Sequence, residues 1–363
     1  LKFLWAPFVD RFSIPILNRF GARRSWILSM QIVIFIFLLI ISEIDPQANI
    51  KYFAFVAFII ALAGSIQDIA IDALRIESAE IEDQGNLAAG YQFGYRIAIL
   101  VASSLALIIA SNFSWTFAYK LMALITGLNI IITMIISTEN KNLTLKKLNH
   151  IDTMIEPIKD FFERFGLKMA AILLLIIASY RLTDIVMGPM ANPFYIDMGY
   201  TLSEIGYIVK VVALISTIIG VFVGGILIKK YGLYKSLLIG AFLVMITNLL
   251  FSYTAITDKN LTLLASIVAS DSLAAGIVGT VNITFLTSLV SQKYTGFQYA
   301  LLTSVMTFTG TIFKGFSGVI VESFQSLYGF NYGWMSFYIF TSCLALPAIL
   351  LIISKKGFFV NSD

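Results

Sequence analysis

Ten long apolar runs decide what this chain can fold into. They lie at roughly 25–42, 52–74, 87–111, 114–137, 168–192, 204–228, 235–253, 260–289, 297–322 and 334–353. A helix needs about 20 apolar residues to cross the hydrocarbon of a bilayer, and these runs are of that length. They lack the in-out alternation of barrel strands, so the expected fold is an all-α polytopic membrane protein. Composition agrees: 58% of the 363 residues are hydrophobic and 13% charged, against about 25% charged in soluble domains. That excludes an ordinary soluble enzyme and a nucleic-acid-binding chain. One Cys and one His exclude a disulfide framework or thiolate metal site and leave little scope for zinc or haem. No metal or other cofactor is expected, and the bilayer itself is the first partner.

Lysine and arginine in the loops set the orientation. One set of alternate connections holds 17 of the 25 basic residues, among them Arg11, Arg19, Arg23, Arg24, Arg75, Lys141, Lys146, Lys147, Arg164, Lys229, Lys230, Lys293, Lys355 and Lys356. The other set holds two, Lys51 and Lys259. The first set, and with it the C-terminus, is expected in the cytoplasm. Six bases remain within or beside apolar runs: Lys2, Arg96, Lys120, Arg181, Lys210 and Lys314.

The run Leu1 to Val9 reads as the last turns of a helix entering a cytoplasmic loop, too short to span and without the basic region or cleavage site of a signal peptide. It predicts an upstream segment. The longest connection, 138–167, carries His150, Pro157 and an amphipathic stretch from Ile155 to Phe165. It parts four spans and a stub from six. The parts echo each other: Asp10-Arg11 and Gly21-Ala22-Arg23-Arg24 precede the 25–42 run, while Gly224-Gly225, Lys229-Lys230-Tyr231-Gly232 and Lys235 precede or open the 235–253 run. Two six-helix repeats are inferred. The expected domains are 1–137, an incomplete N-terminal bundle; 138–167, a cytoplasmic linker; 168–353, a six-helix bundle; and 354–363, a cytoplasmic tail.

This arrangement resembles the major facilitator superfamily, whose loop after helix 2 reads Gly-x-x-x-Asp-Arg-x-Gly-Arg-Arg. Asp10, Arg11, Arg23 and Arg24 keep its charges with a longer insert between them. A closer resemblance, over essentially the whole chain, is to the AmpG family of muropeptide permeases. It is carried by Lys2-Phe3-Leu4-Trp5-Ala6-Pro7-Phe8-Val9-Asp10-Arg11, by Gln67-Asp68-Ile69-Ala70-Ile71-Asp72-Ala73, by Gly94-Tyr95-Arg96-Ile97-Ala98-Ile99-Leu100-Val101 and, more weakly, by Phe297-Gln298-Tyr299-Ala300-Leu301-Leu302. The resemblance implies two six-helix repeats with helix 1 and most of helix 2 absent from this chain. It also implies residence in a bacterial inner membrane and proton-driven uptake of GlcNAc–anhydro-muramyl peptides, with a monomer as the working unit.

A charge at a helix centre costs about 2.5–3.5 kcal/mol on insertion scales, so those within the runs are the candidate site. Asp68 and Asp72 are one turn apart on one face. Arg96, on the antiparallel run, is expected to pair with one of them, either as a static packing pair or as a substrate-anion site or gate. In the second half Arg181 and Asp184 lie mid-run and Asp271 near the middle of 260–289. Asp271 and Asp184 are the proton-coupling candidates, with Asp271 pairing Arg181 as the plain alternative. Lys210 faces a cavity or snorkels, as Lys120 does. Tyr91, Gln92, Tyr95, Tyr180, Asn192, Asn282 and Gln298 offer hydrogen bonds to a sugar or peptide, or simply hold helices together. Gly90/Gly94 and Gly220/Gly224 permit close helix approach.

The leading expectation is a secondary transporter in which two repeats rock about a midplane site. Arg96, Arg181 and Lys210 would face substrate carboxylates, and Tyr95 the sugar. Alternatives are an acetyl-CoA-type or other organic-anion permease of the same superfamily, and a non-functional truncated remnant. A membrane enzyme is disfavoured, since the lone His lies in a loop and no Cys–His pair is available. No phosphate-binding loop appears.

Overall fold

A computed structural model describes residues 2–135 and 150–360. Lys141, Lys146 and Lys147, with the 138–149 part of the 138–167 connection, lie outside those residues. Among the described residues there are helices and turns and no strand. In chain order they are α1 (Ala6–Arg11), α2 (Ala22–Ser42), α3 (Ile50–Glu77) and α4 (Gln84–Leu100), which passes through a π-helical turn, Val101–Leu105, into α5 (Ala106–Asn112). Then come α6 (Trp115–Ile135), α7 (His150–Phe165), α8 (Leu167–Tyr180), α9 (Leu182–Met187), α10 (Ala191–Asp197) and α11 (Leu202–Tyr207). A second π-helical turn, Ile208–Val212, leads into α12 (Ala213–Thr254). The chain continues with α13 (Leu261–Ser288), α14 (Thr295–Gly315), α15 (Ser317–Tyr328), α16 (Phe330–Cys343), α17 (Leu346–Ser354) and α18 (Lys356–Val360).

Nine described helical stretches are long and apolar enough to cross a membrane. The sequence separates ten runs, and the difference lies in α12. Its 42 residues would extend roughly 63 Å if straight, at 1.5 Å per residue, about twice the hydrocarbon thickness. Gly232 resolves this: at φ 77° and ψ 169° it leaves helical geometry between the 204–228 and 235–253 runs. Only glycine takes that backbone conformation without a Cβ clash.

Two compact units emerge. The first comprises Leu1–Glu80, Gly94–Arg164 and Val290–Leu301; the second comprises Ile81–Phe93, Phe165–Leu289 and Leu302–Asp363. In the first unit Ala6 and Val9 of α1, Ile27 of α2, Ile69 and Ala70 of α3, and Phe297 and Ala300 of α14 form one buried cluster. In the second, Phe194 of α10 packs edge-on against Trp334 and Tyr338 of α16, with ring centroids 5.3 and 4.9 Å away, and Phe251 stacks on Tyr338 at 5.2 Å. Offset and edge-to-face aromatic pairs hold rings in fixed registers, so this cluster ties α10, α12 and α16 together.

Helices α12 and α13 approach through glycine. A Cβ on Gly220 would lie 2.2 Å from the Leu273 carbonyl oxygen, and one on Gly276 2.3 Å from that of Thr217. The obstacles are backbone atoms and cannot swing aside. Gly220/Gly224 therefore acts as a packing face, with Gly276 as its unanticipated counterpart. Gly90/Gly94 shows the same spacing, yet an added Cβ at either would meet nothing within 4 Å. Gly276→Ala is thus expected to cost about 1–3 kcal/mol through overpacking, read as a lower unfolding temperature in detergent. Gly94→Ala should not lower that temperature, since its Cβ meets nothing and Ala is the better helix former.

The start of α11 is fixed by a capping box, in which Thr201 Oγ1 accepts the Glu204 N–H and the Glu204 carboxylate accepts the Thr201 N–H. Lys259, on the α12–α13 turn, donates to Glu204 Oε2 at 2.8 Å. With Lys259 and the Thr201 N–H as partners, the Glu204 carboxyl is held at about 2, below its ordinary 4.5. A depressed carboxyl stabilises the fold above its unfolded value and loses that contribution as the pH falls through the folded one. Amide protection at Glu204, corrected for intrinsic exchange, should therefore hold down to about pH 5 and decline between about 4.5 and about 2.

Candidate functional site

The loop charges Asp10, Arg11, Arg23 and Arg24 build a closed polar cluster in the first unit. Arg23, at the start of α2, is 5% exposed in its side chain, and Asp10 of α1 is 6% exposed. The Arg23 Nη2 lies 2.8 Å from Asp10 Oδ1 and 2.8 Å from Glu77 Oε1 at the end of α3. Its Nη1 donates to the Val9 carbonyl at 2.8 Å and its Nη2 also to Thr295 Oγ1 at 3.0 Å. Thr295 in turn donates to Glu77. Asp10 then accepts the Gly296 N–H at 3.0 Å and the Phe297 N–H at 2.7 Å, the first orphan donors of α14, where the helix dipole favours an anion. Gly296 is required there, since a Cβ would fall 2.6 Å from Asp10 Oδ1. Arg24 faces another helix end and donates to the Thr133 and Met134 carbonyls near the close of α6. Arg11 pairs with Glu156 of α7 at 3.7 Å.

Deeper in the first unit, Asp68 of α3 is bound by Lys2, Nζ to Oδ2 at 2.6 Å, with both side chains partly exposed. Asp72 and Arg75, further along α3, are buried. The Arg75 guanidinium stands 5.2 Å from the Tyr299 ring centroid, and Asp72 lies within electrostatic reach of the same phenol. Arg96 is half-buried on α4 beside the exposed Tyr95. Five residues on, the helix enters its π-helical turn, a distortion often found at functional sites. Lys120 pairs with Glu43 at 2.6 Å at the end of α2, as a snorkelling lysine does, and that pairing holds the Glu43 carboxyl below its ordinary value.

In the second unit the site forms at a broken helix. Arg181 interrupts the course of α8 into α9, with φ −107° and ψ 9°. It stands at the C-terminal end of α8, where a cation is favoured, and Asp184 stands in the first turn of α9, where an anion is favoured. Their charged groups meet loosely, Nη2 to Oδ2 at 3.8 Å. Arg181 Nε and Asp184 Oδ2 are buried with no hydrogen-bond partner among the described residues, as are Thr183 Oγ1, Asn282 Oδ1 and the Tyr338 hydroxyl. Asp271 of α13 takes a hydrogen bond from Thr247 of α12, Oγ1 to Oδ1 at 2.9 Å. Among the described residues it has no basic partner within salt-bridge distance. Asp184, Tyr195 and Tyr338 lie within its electrostatic reach. Arg181 thus pairs with Asp184, and Asp271 rests on a hydroxyl. Tyr180 donates to the Leu237 carbonyl at 3.1 Å. Lys210 falls on the Ile208–Val212 turn, and its side chain lies outside the described residues.

The two units therefore hold different chemistry. The first keeps a buried guanidinium–carboxylate cluster about Arg23 at a helix start, with Arg11 Nη1 and Nη2 buried and without a hydrogen bond among the described residues. The second holds Arg181 and Asp184, each with a buried polar atom that lacks a hydrogen bond among the described residues, and Asp271, which accepts the Thr247 hydroxyl. Glu77, Thr295 and Thr247 were not anticipated. Each is a single polar residue whose partner sits on another helix, and no local spacing marks it.

The Major Facilitator Superfamily model matches residues 1–314 of the chain. A putative transporter AmpG 4 of Rickettsia conorii is 33% identical over 97% of this chain and 84% of its own length. The anhydromuropeptide permease of Escherichia coli K12 is 30% identical over 97% of this chain and 69% of its own. Among solved structures, the E. coli fucose:proton symporter FucP is similar with a TM-score of 0.66 and 15% identity, covering 97% of this chain and 92% of that one. The proton:xylose symporter XylE is similar with a TM-score of 0.71 and 13% identity, covering 98% and 83%; at such identities the likeness speaks for the fold. With the broken helices, the buried loop cluster and these relatives together, the chain belongs to the Major Facilitator Superfamily and, within it, to the AmpG family.

Proposed function

We propose that this chain works as a proton-coupled permease for anhydro-muropeptides, GlcNAc–anhydro-muramyl peptides recovered for cell-wall recycling. It carries them across a bacterial inner membrane by alternating access, with its C-terminus in the cytoplasm. The observation that carries the reading is the second-unit set of Arg181, Asp184 and Asp271 within apolar spans. Incompletely bonded charges at this depth are costly, and a transported anion and a proton are what such groups are suited to hold. Arg181, with a buried Nε open, is placed to take a substrate carboxylate that competes with Asp184. Asp271 rests on a neutral hydroxyl and pairs with no base among the described residues, which suits it to exchange a proton. In the first unit Tyr95 and Arg96 are the groups for the sugar and for a second carboxylate, with Asp68 and Asp72 beside them. Lys210 is assigned to the same anion-binding role. The permease acts as a monomer, without a cofactor and without altering its cargo.

The test is uptake of radiolabelled anhydro-muropeptide by proteoliposomes with an imposed proton gradient. Accumulation above the external concentration, abolished by a protonophore and recovered as unchanged substrate, is the expected result. Accumulation indifferent to the protonophore would remove proton coupling. Competition by acetyl-CoA but not by unlabelled muropeptide would instead favour an organic-anion permease, which the open guanidinium also suits.

A further inference from the structure

The ends of three apolar spans, α2, α3 and α6, meet at a cavity of about 510 Å³ in the first unit. It lies at the end of α2 remote from Arg23. Trp115 and Tyr119, one helical turn apart, set their ring centroids 6.1 Å from each other on one wall, and Phe53 adds a third ring. Glu43 and Asp45 bring two carboxylates. Asp45 Oδ1 accepts the Gln47 N–H at 2.9 Å, which fixes that carboxylate, and no base pairs with it among the described residues. Glu43 meets Lys120 Nζ at 2.6 Å with both side chains exposed; such a pair is weak and open to exchange. The pair also tops two exposed apolar strips. Glu43 follows Ile36 and Leu39 along α2, and Lys120 precedes Leu124 and Leu128 along α6, at the three- and four-residue spacings that keep to one helix face. Between these strips the helices close, with Gly127 packed against the Phe35 ring.

We propose that this cavity binds one aminophospholipid of the surrounding bilayer. Asp45 and Glu43 hold the headgroup ammonium, Lys120 holds the phosphate, and an acyl chain follows the strips on α2 and α6. The inference needs the membrane fold and not the proposed cargo. Its position fits a lipid: span ends lie at headgroup level, where Trp and Tyr gather, and the exposed apolar residues beyond them lie against hydrocarbon. The charges select the headgroup. A primary ammonium donates to two carboxylates and meets the π faces of Trp115 and Tyr119, while the phosphate takes Glu43's place on Lys120. The zwitterion thus inserts into a weak surface pair and leaves each charge matched. Phosphatidylglycerol gives Lys120 its phosphate but brings no cation to Asp45 and Glu43. Phosphatidylcholine brings the cation but has no N–H to donate. A sugar would stack on the rings and leave Lys120 and both apolar strips unused.

Native mass spectrometry of the full chain tests the site, after delipidation in detergent and titration with dioleoyl phosphatidylethanolamine, phosphatidylglycerol or phosphatidylcholine. One phosphatidylethanolamine per chain should bind roughly fivefold more tightly than either rival. Glu43→Gln with Asp45→Asn should erase that preference. Trp115→Ala should weaken phosphatidylethanolamine roughly threefold, and Trp115→Phe should recover most of the loss. These side chains are exposed, so lipid-free unfolding temperatures should match the native protein's; where the double variant fails to fold, Asp45→Asn alone carries the test. Equal affinity for the three lipids would overturn the proposal, as would a phosphatidylethanolamine preference that survives loss of the carboxylates. Displacement of the lipid by free N-acetylglucosamine would reassign the cavity to a sugar and overturn it too.

Discussion

Arg23→Ala is expected to lower the stability of the folded protein by about 3–5 kcal/mol, the range for stripping one partner from a buried ion pair. The guanidinium touches Asp10, Glu77, Thr295 and the Val9 carbonyl, so its removal strands two carboxylates in a nearly water-free site. Arg23→Lys should recover little. An ammonium offers three donors from one point, whereas three guanidinium nitrogens in a fixed plane serve these four partners. Arg24→Ala makes the useful comparison. It removes hydrogen bonds to the Thr133 and Met134 carbonyls and leaves no buried counter-charge, so about 1.5 kcal/mol is expected. Thermal unfolding in detergent ranks the three. An Arg23→Ala protein as stable as Arg24→Ala would mean that the cluster is hydrated and that its burial is not what holds the helix start.

Much of this architecture was legible in the sequence because a bilayer imposes length and polarity on every span. The ten apolar runs and the helical class follow from that constraint alone. The break inside α12 was legible too, since the basic run Lys229-Lys230 and Gly232 interrupt an apolar stretch. The Arg181–Asp184 pair is local, three residues apart, and so was within reach of spacing.

What stayed hidden depends on which helix lies beside which. Asp10, Arg23 and Glu77 are visible as charges, but their convergence on Thr295, Gly296 and Phe297 joins residues more than 200 positions apart. The glycine pairs make the same point from the other side: Gly220/Gly224 and Gly90/Gly94 share one pattern, and only the first meets a backbone. Asp68 illustrates a rival partner. Arg96 was expected beside either Asp72 or Asp68, and Asp68 holds Lys2, a residue that sequence order places in the α1 approach. From sequence Gln298 fits a sugar ligand or a helix tie equally, because an amide looks the same in both roles; the α7 contacts that decide it come from a helix some 140 residues earlier.

Asp271→Asn is expected to abolish gradient-driven accumulation, by at least tenfold, while leaving substrate exchange between the two sides of the membrane nearly intact. The substitution is close to isosteric, and Asn can still accept the Thr247 hydroxyl bond that Asp271 accepts at 2.9 Å. What it loses is the capacity to take up and release a proton. A carboxyl whose role were only to brace α13 against α12 would be replaced by Asn with little change in either assay. A carboxyl that carries the coupling proton leaves a transporter that still rocks with cargo bound but no longer concentrates it. Asp184→Asn separates the two acids. It removes the counter-charge that Arg181 meets at 3.8 Å, so its first effect should fall on substrate affinity, with the half-saturating concentration shifted and accumulation preserved. Entry counterflow, in which labelled substrate exchanges against an unlabelled internal pool without a gradient, distinguishes these cases. If Asp271→Asn accumulates substrate as the native protein does while Asp184→Asn does not, the coupling proton belongs to Asp184 and the loose Arg181 pair is its switch.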